Sequence, residues 1–309
     1  MAMRIVYMGT PDFAVPALER LHASDHEIVS VVTRPDSKRG RGRGLSASEI
    51  KVAAESLGLP VLQPESLKDP TLHEELRDLE PDLFVVVAFL ILPRSVLKIP
   101  KHGSLNLHPS LLPRYRGAAP IQWAVINGES ETGISTFLLN PRIDAGDILI
   151  QRPVSISSEE TAGALYERLR VKGADVVLET VDGFEAGTLN PTQQDDARAT
   201  PAPKLTKETG RIDWTKKAET IRNLVRGTNP FPGAFTEWKN GILKVHRVSR
   251  VEGAGRPGSV LSSDTKTGLV IATGEGALRL NHVQAQGKKS LDDDIFLLGT
   301  PVDVGEQFG

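Results

Sequence analysis

The run PDLFVVVAFLIL, residues 81 to 92, limits the architectures open to this chain more than any other stretch. It is too short to cross a bilayer, which needs about 20 apolar residues in a helix. Rich in valine, bracketed by Pro81 and Pro93 and without polar alternation, it reads as a central parallel strand covered on both faces. Such a strand needs helices on both sides of its sheet, and the flanking sequence supplies them. Arg4–Met8, Ile28–Thr33, Pro60–Leu62, Gly103–His108, Gly133–Leu139 and Ile148–Val154 read as further strands. Between them, Phe13–Leu21 (with Asp12 as N-cap), Ser48–Leu57, Thr71–Leu79, Pro120–Ile126 and Thr161–Asp182 carry helical spacing. Strands alternating with helices predict an α/β domain with a doubly wound, mostly parallel sheet. No GxGxxG follows the first strand, so a dinucleotide site of the usual kind is not supported.

The pattern changes after residue 188. LNPTQQDDARATPAPK, from Leu189, lacks aliphatic periodicity and is dense in Pro, Gln, Asp and Ala, the composition of a linker. Beyond Leu205 a helix at Ala218–Val225 leads into short strands at Leu243–Val248, Gly258–Leu261, Gly268–Ala272 and Ala277–Val283. Short strands at this spacing predict a small β-barrel. The division is therefore a first domain at 1–188, a linker at 189–205 and a second domain at 206–309. At 309 residues the chain is long enough for two domains. The net charge of −2 says nothing about partners, so any nucleic-acid signal must be local. There are no cysteines, which excludes disulfides and thiolate metal sites and fits a reducing cytoplasm. MAMRIVYMGT enters a strand too soon for a signal peptide, and no apolar stretch is long enough for a membrane span; the expectation is a cytoplasmic protein.

Three motifs carry chemistry. SLNLHPSLLPRYRG begins as a strand, so Asn106 and His108 share a face, and Pro109 ends the strand where ligands of open parallel sheets collect. RIDAGDIL offers Asp144 before an Ala-Gly turn and Asp147 at the start of the next strand; spacing does not decide between them. RPDSKRGRGRG sets Arg34, Lys38, Arg39, Arg41 and Arg43 against the single acid Asp36, on a glycine-rich arm suited to a phosphate backbone. From Thr206 to Arg250 ten Lys or Arg oppose Glu208, Asp213, Glu219 and Glu237, a second basic stretch. No cluster of His and Asp has metal-ligand spacing, and no metal is required.

SLNLHPSLLPRYRGAAPIQWAVINGESETGIS with downstream IDAGDIL resembles the formyltransferases that use 10-formyltetrahydrofolate. MGTPDFAVPALE, the arm TRPDSKRGRGRGL, RIDW (Arg211–Trp214), IRNLVRGTNPFPGA (Ile221–Ala234), ATGEGALRL (Ala272–Leu280) and QGKKSL (Gln286–Leu291) extend the resemblance through both domains. The arm and second domain resemble those of the tRNA-directed branch. The resemblance implies a Rossmann-like formyltransferase domain followed by an OB-like barrel. It implies a catalytic trio of Asn106, His108 and Asp144, and a folate pocket lined by Ser110, Leu111, Leu112 and Pro113 with Phe89, Leu90, Ile91 and Leu92. It further implies an initiator methionyl-tRNA acceptor held by Lys38, Arg39, Arg41 and Arg43; the sequence carries no oligomeric signal, so a monomer is the default expectation. Where many relatives read AYG and one more residue, this chain has the shorter Ala88-Phe89-Leu90-Ile91. The rival acceptors are glycinamide ribonucleotide and amino sugar nucleotides, whose enzymes share the Asn-x-His and Asp. In the tetrahedral intermediate of formyl transfer, an Asn amide and an imidazolium would stabilise the oxyanion, with Asp144 expected to hold His108 charged.

Overall fold

In the computed structural model, which describes residues 2–39, 44–239 and 241–309, the apolar run leaves its sheet early. The strand covers only Leu83–Val87, and Ala88 takes a left-handed backbone with φ 48°. Residues beyond Val87 therefore line a cleft instead of extending the strand. The elements of the first half are β1 (Arg4–Gly9), α1 (Val15–His22), β2 (Glu27–Val32), β3 (Ser37–Arg39), β4 (Gly44–Ser46), α2 (Glu49–Ser56) and β5 (Val61–Leu62). Then come α3 (Pro70–Asp78), β6 (Leu83–Val87), α4 (Arg94–Leu97), β7 (Ser104–His108), α5 (Pro120–Ile126), β8 (Glu131–Leu138), β9 (Ile148–Ser155) and α6 (Ala162–Ala186).

The large sheet has the order β5-β2-β1-β6-β7-β8-β9. Pairing is parallel from β5 to β7, and β8 runs antiparallel to β7. Strand order reverses beside β1, which places β6 and β7 next to the point where such sheets open a crevice at their carboxyl ends. Val6, Met8, Phe84 and Val86 of the sheet pack with Leu72 and Leu76 of α3 and Val96 of α4. Local signals set the helix starts. Ser48 accepts from the Lys51 N–H ahead of α2, and Asp69 accepts from Thr71 with Pro70 at the first helical position of α3. Asp12 is not the N-cap its position predicts: residues 12–14 form a 3₁₀ turn, and its carboxylate takes the Tyr166 hydroxyl at 2.6 Å and Arg170 at 3.1 Å. Two strong donors on a neighbouring helix outcompete the weaker local backbone N–H.

The chain divides into two compact units, Met1–Gly117, Thr132–Ser155 and Tyr166–Ala202 in the first, and Ala118–Glu131, Ile156–Leu165 and Pro203–Gly309 in the second. Two segments that sequence periodicity assigns to the first domain thus cluster with the second. The physical link is α5, which packs on α7 (Ala218–Gly227) with Gly227 so close to Ile126 that a side chain there would meet it at 2.4 Å. The rest of the second unit comprises β10 (Ala234–Trp238), β11 (Gly241–Val251), β12 (Val260–Asp264), β13 (Gly268–Ala272), β14 (Ala277–Ala285), β15 (Leu291–Asp292) and α8 (Asp293–Gly299). Its antiparallel sheet runs β10-β11-β14-β13-β12, with β15 on β14. Segment 306–309 curls it closed: the Phe308 N–H donates to Gly258 and the Gly309 N–H to Glu237. Trp214, Ile221, Val225, Leu243, Leu278 and Phe296 lie in its core. Among the described residues, no helix is long and apolar enough to cross a membrane.

Candidate active site

The register of β7 explains the spacing of its polar pair. Leu105 and Leu107 are buried on one face, while Asn106 lies opposite Val86 and Phe137, and His108 opposite Ser135. His108 Nε2 lies 2.8 Å from the Tyr115 carbonyl. A carbonyl only accepts, so Nε2 carries the proton and Nδ1 is the nitrogen that titrates. Nδ1 sits 3.8 Å from Asp144 Oδ2, and the two side chains are only 6% and 17% exposed. Of the two acids left open by spacing, Asp144 therefore meets the imidazole; Asp147 is exposed, its carbonyl accepting from Leu138.

Backbone geometry holds this arrangement. Asp144 has φ 49° and Tyr115 φ 62°, left-handed values that cost about 1–3 kcal/mol unless surrounding structure enforces them. The enforcing contact is the Gly117 N–H, which donates to Asp144 Oδ2 at 2.8 Å. Gly117 itself has φ 128°, and a Cβ there would stand 2.6 Å from the Ala202 carbonyl, so only glycine fits. The Asp-Ala-Gly turn is closed by similar sterics, since a Cβ on Gly146 would fall 1.6 Å from the Leu138 carbonyl.

A cleft of about 100 Å³ opens beside the group, lined by Val86, Phe89–Leu92, Leu97, Asn106 and Leu139–Asp144. Its floor is polar, from Asn106 and Asp144, and its rim is apolar, with Leu90, Ile91 and Ile143 at 42%, 76% and 61% exposure. No hydrogen bond to the Asn106 amide forms among the described residues. Phe89, Leu90, Ile91 and Leu92 all line this cleft. Ser110, Leu111, Leu112 and Pro113 are not among its lining residues. Ser110 is buried and donates to the Arg114 carbonyl; Leu112 is buried, its N–H on Ser135 and its carbonyl on Gln151. Leu111 packs beneath Gly133, and the Pro113 carbonyl accepts from Thr200. Further along that loop, the Tyr115 carbonyl is the group that holds the imidazole.

The electrostatics differ from the expectation that Asp144 keeps His108 charged. Burial pushes the His108 pKa below its ordinary value, and the opposing pull of Asp144 and the Tyr115 carbonyl does not restore it. His108 is thus neutral at neutral pH, with the Nδ1 lone pair facing a carboxylate. Two acceptors so placed suit a third group that brings an N–H between them.

Sequence reasoning missed the segment read as a linker. Gln194 is 7% exposed, and its amide donates to the carbonyls of Asp144 at 3.0 Å and Gly146 at 2.7 Å. Thr200 Oγ1 accepts the Tyr115 N–H at 2.8 Å, and Arg116 pairs with Pro201 as a parallel bridge. No periodicity marks these residues, because each serves through one polar side chain or one bridge.

Of the arm, Arg41 and Arg43 lie outside the described residues. Lys38 and Arg39 belong to β3, whose backbone pairs with β4. In the second unit several cations of the basic stretch meet acids, some from elsewhere in the chain: Lys217 pairs with Glu275, Arg222 with Glu159, and Arg247 with Asp292. The Lys217 and Arg247 pairs are solvent-exposed and worth little, whereas the Arg222 side chain is buried. A His26, Asp182 and Glu185 group has ligand-like proximity. There the Met3 N–H donates to His26 Nδ1, which leaves Nε2 protonated and donating to Asp182 at 2.9 Å. That is a hydrogen-bonded pair, with both imidazole nitrogens already engaged.

The doubly wound sheet and the antiparallel second unit are those of a formyl transferase, as the family models show. Models described as formyl transferase and as formyl transferase, C-terminal domain, match residues 3–181 and 204–301. A methionyl-tRNA formyltransferase of Geobacter metallireducens is 46% identical over 308 residues, covering 99% of each chain. The chain belongs to the methionyl-tRNA formyltransferase family. Solved structures share the fold at lower identity. An N-formyltransferase of Helicobacter canadensis, in complex with folinic acid and dTDP-3-aminofucose, aligns at TM-score 0.68 and 18% identity over 93% of this chain and 99% of its own. HypX of Aquifex aeolicus, in complex with tetrahydrofolic acid, aligns at 0.63 and 22% over 96% of this chain and 47% of its own.

Proposed function

We propose that this protein transfers the formyl group of 10-formyltetrahydrofolate to the α-amino group of initiator methionyl-tRNA in the cytoplasm. The observation that carries this reading is the end-to-end relation to a methionyl-tRNA formyltransferase, through the second unit as well as the first. A glycinamide ribonucleotide acceptor would leave that second unit without a task. The cleft suits the donor by its chemistry: an apolar rim for an aromatic body and a polar floor for a reacting end. Phe89, Leu90, Ile91 and Leu92 would hold the folate, which supplies an activated one-carbon unit and a nitrogen leaving group. Ser110, Leu111, Leu112 and Pro113 lie outside the cleft and lead to Tyr115, whose carbonyl holds the imidazole.

Formyl transfer makes one C–N bond and breaks another, while the amine loses a proton and the departing nitrogen gains one. Neutral His108 Nδ1 and the Asp144 carboxylate take the amine proton, forming an imidazolium beside a carboxylate. The Asn106 amide donates to the developing oxyanion; removing such a donor costs on the order of 2.7–4 kcal/mol. The imidazolium, then charged, returns the proton to the leaving nitrogen. Lys38, Arg39, Arg41 and Arg43 supply phosphate contacts for the acceptor RNA, with the second unit as its other contact, and the enzyme acts as a monomer. The test is a competition: 10-formyltetrahydrofolate with charged initiator tRNA, glycinamide ribonucleotide or an amino sugar nucleotide. Formyl is expected on the methionyl nitrogen, and transfer to either small acceptor alone refutes the reading.

A further inference from the structure

The chemistry described above depends on where Asp144 points, and Asp144 is held from a place the reaction never touches. Its turn is left-handed at φ 49°, so something must keep it there. On one side the Gly117 N–H grips Oδ2. On the other the Asp144 carbonyl, with that of Gly146, receives the Gln194 amide. The opposite end of the same side chain, Gln194 Oε1, accepts from Arg116 Nε at 3.1 Å and Nη2 at 2.7 Å. Arg116 lies between Tyr115, whose carbonyl orients His108, and Gly117, which orients Asp144. Asp196 adds a second grip, accepting from Arg116 at 2.8 Å and from Arg142 at 2.7 Å.

We infer that Gln194 is a positioning residue for formyl transfer, its carboxamide locking the Asp144 turn to the 115–117 turn so that His108 Nδ1 and the Asp144 carboxylate stay opposed. The chemistry of the site selects glutamine. Two carbonyls demand a donor and a guanidinium demands an acceptor, from one buried group, and a primary amide meets both demands in a single orientation. A glutamate would keep Arg116 but set a carboxylate against the two carbonyls. A methionine would lose both sides.

This inference rests on the proposed reaction, and its test separates the two. Gln194→Glu and Gln194→Met, Asp196→Ala and Asp144→Asn are compared with the parent full-length enzyme in formylation of charged initiator tRNA. In Gln194→Glu kcat falls on the order of 10–100-fold, with KM for both substrates unchanged. The acid limb of the kcat profile moves to lower pH, because His108 loses part of the field of Asp144. Asp196→Ala, on the surface, moves kcat and the limb in the same directions by less, and keeps the test open should both Gln194 variants fail to fold. Parental kcat and an unmoved limb in folded Gln194→Glu, or in Asp196→Ala where the Gln194 variants do not fold, overturn the inference. So does a loss confined to thermal stability. If Asp144→Asn retains parental turnover, the trio itself fails, a separate result.

Discussion

The strand end at Asn106–His108 and the segment at Gln194–Thr200 both hold the same few ångströms of the site, yet the chain announces only the first. Asn106 and His108 sit in an alternating strand ended by proline, a local pattern with one structural meaning. Gln194 and Thr200 sit in a stretch of Pro, Asp and Ala with the composition of a tether, and the folded chain buries the Gln194 side chain at the back of the site. Composition reports how a segment's backbone is free to run. It does not report what its polar groups will hold.

Substitutions probe this contrast, beginning with the greatest loss. Asp144→Asn is expected to lower kcat by on the order of 10²–10⁴-fold with folate binding retained, since it removes a proton-handling group but not the apolar rim. Steady-state kinetics beside equilibrium folate titration decides this; a variant within a few-fold of the parent would end the division of labour between rim and floor. Thr200→Val tests the silent segment. It leaves the Tyr115 N–H without its acceptor and should destabilise the protein by about 1–2 kcal/mol in urea melts; an unchanged melting midpoint would make that segment the tether its composition suggests.

The next expectation concerns protons. The His108 pKa is depressed in the folded protein from an ordinary 6.5, so acid protonates the unfolded chain first. Stability contributed by His108 is complete above about pH 6.5 and drains away as pH falls toward the folded value. The acid limb of kcat/KM should accordingly lie below pH 6.5, whereas a limb above that value would mean Asp144 outweighs burial after all. The smallest effect belongs to Arg41→Ala, which should weaken tRNA binding a few-fold and reduce the salt slope by about one. Titrations at several salt concentrations, with unfolding followed in parallel, would expose a loop without RNA contact as an unchanged slope.

Much of the architecture was legible because β and α periodicities are properties of neighbouring residues. The mostly parallel sheet, the short strands of the second half and the Asn-x-His all follow from spacings of two to four residues. Where reading failed, either a distant partner or an unmarked backbone turn had intervened. Asp12 follows the pattern of a cap, but Tyr166 and Arg170, far along the chain, claim its carboxylate. The apolar run reads as one strand through Leu92, but the left-handed turn at Ala88 sends its end to a cleft. The basic stretch counts ten cations against four acids, but Glu159, Glu275 and Asp292 come from beyond that window.

The linear chain alone determined the element types and the polar pair on one strand face, since these are set by spacing within a few residues. Only the folded arrangement decided which acid meets the imidazole, which imidazole nitrogen titrates, and that a buried histidine beside a carboxylate stays neutral. Those outcomes depend on desolvation and on contacts between groups up to 85 positions apart, such as Tyr115 and Thr200. Their energies exist only after the chain has excluded water from the space they share.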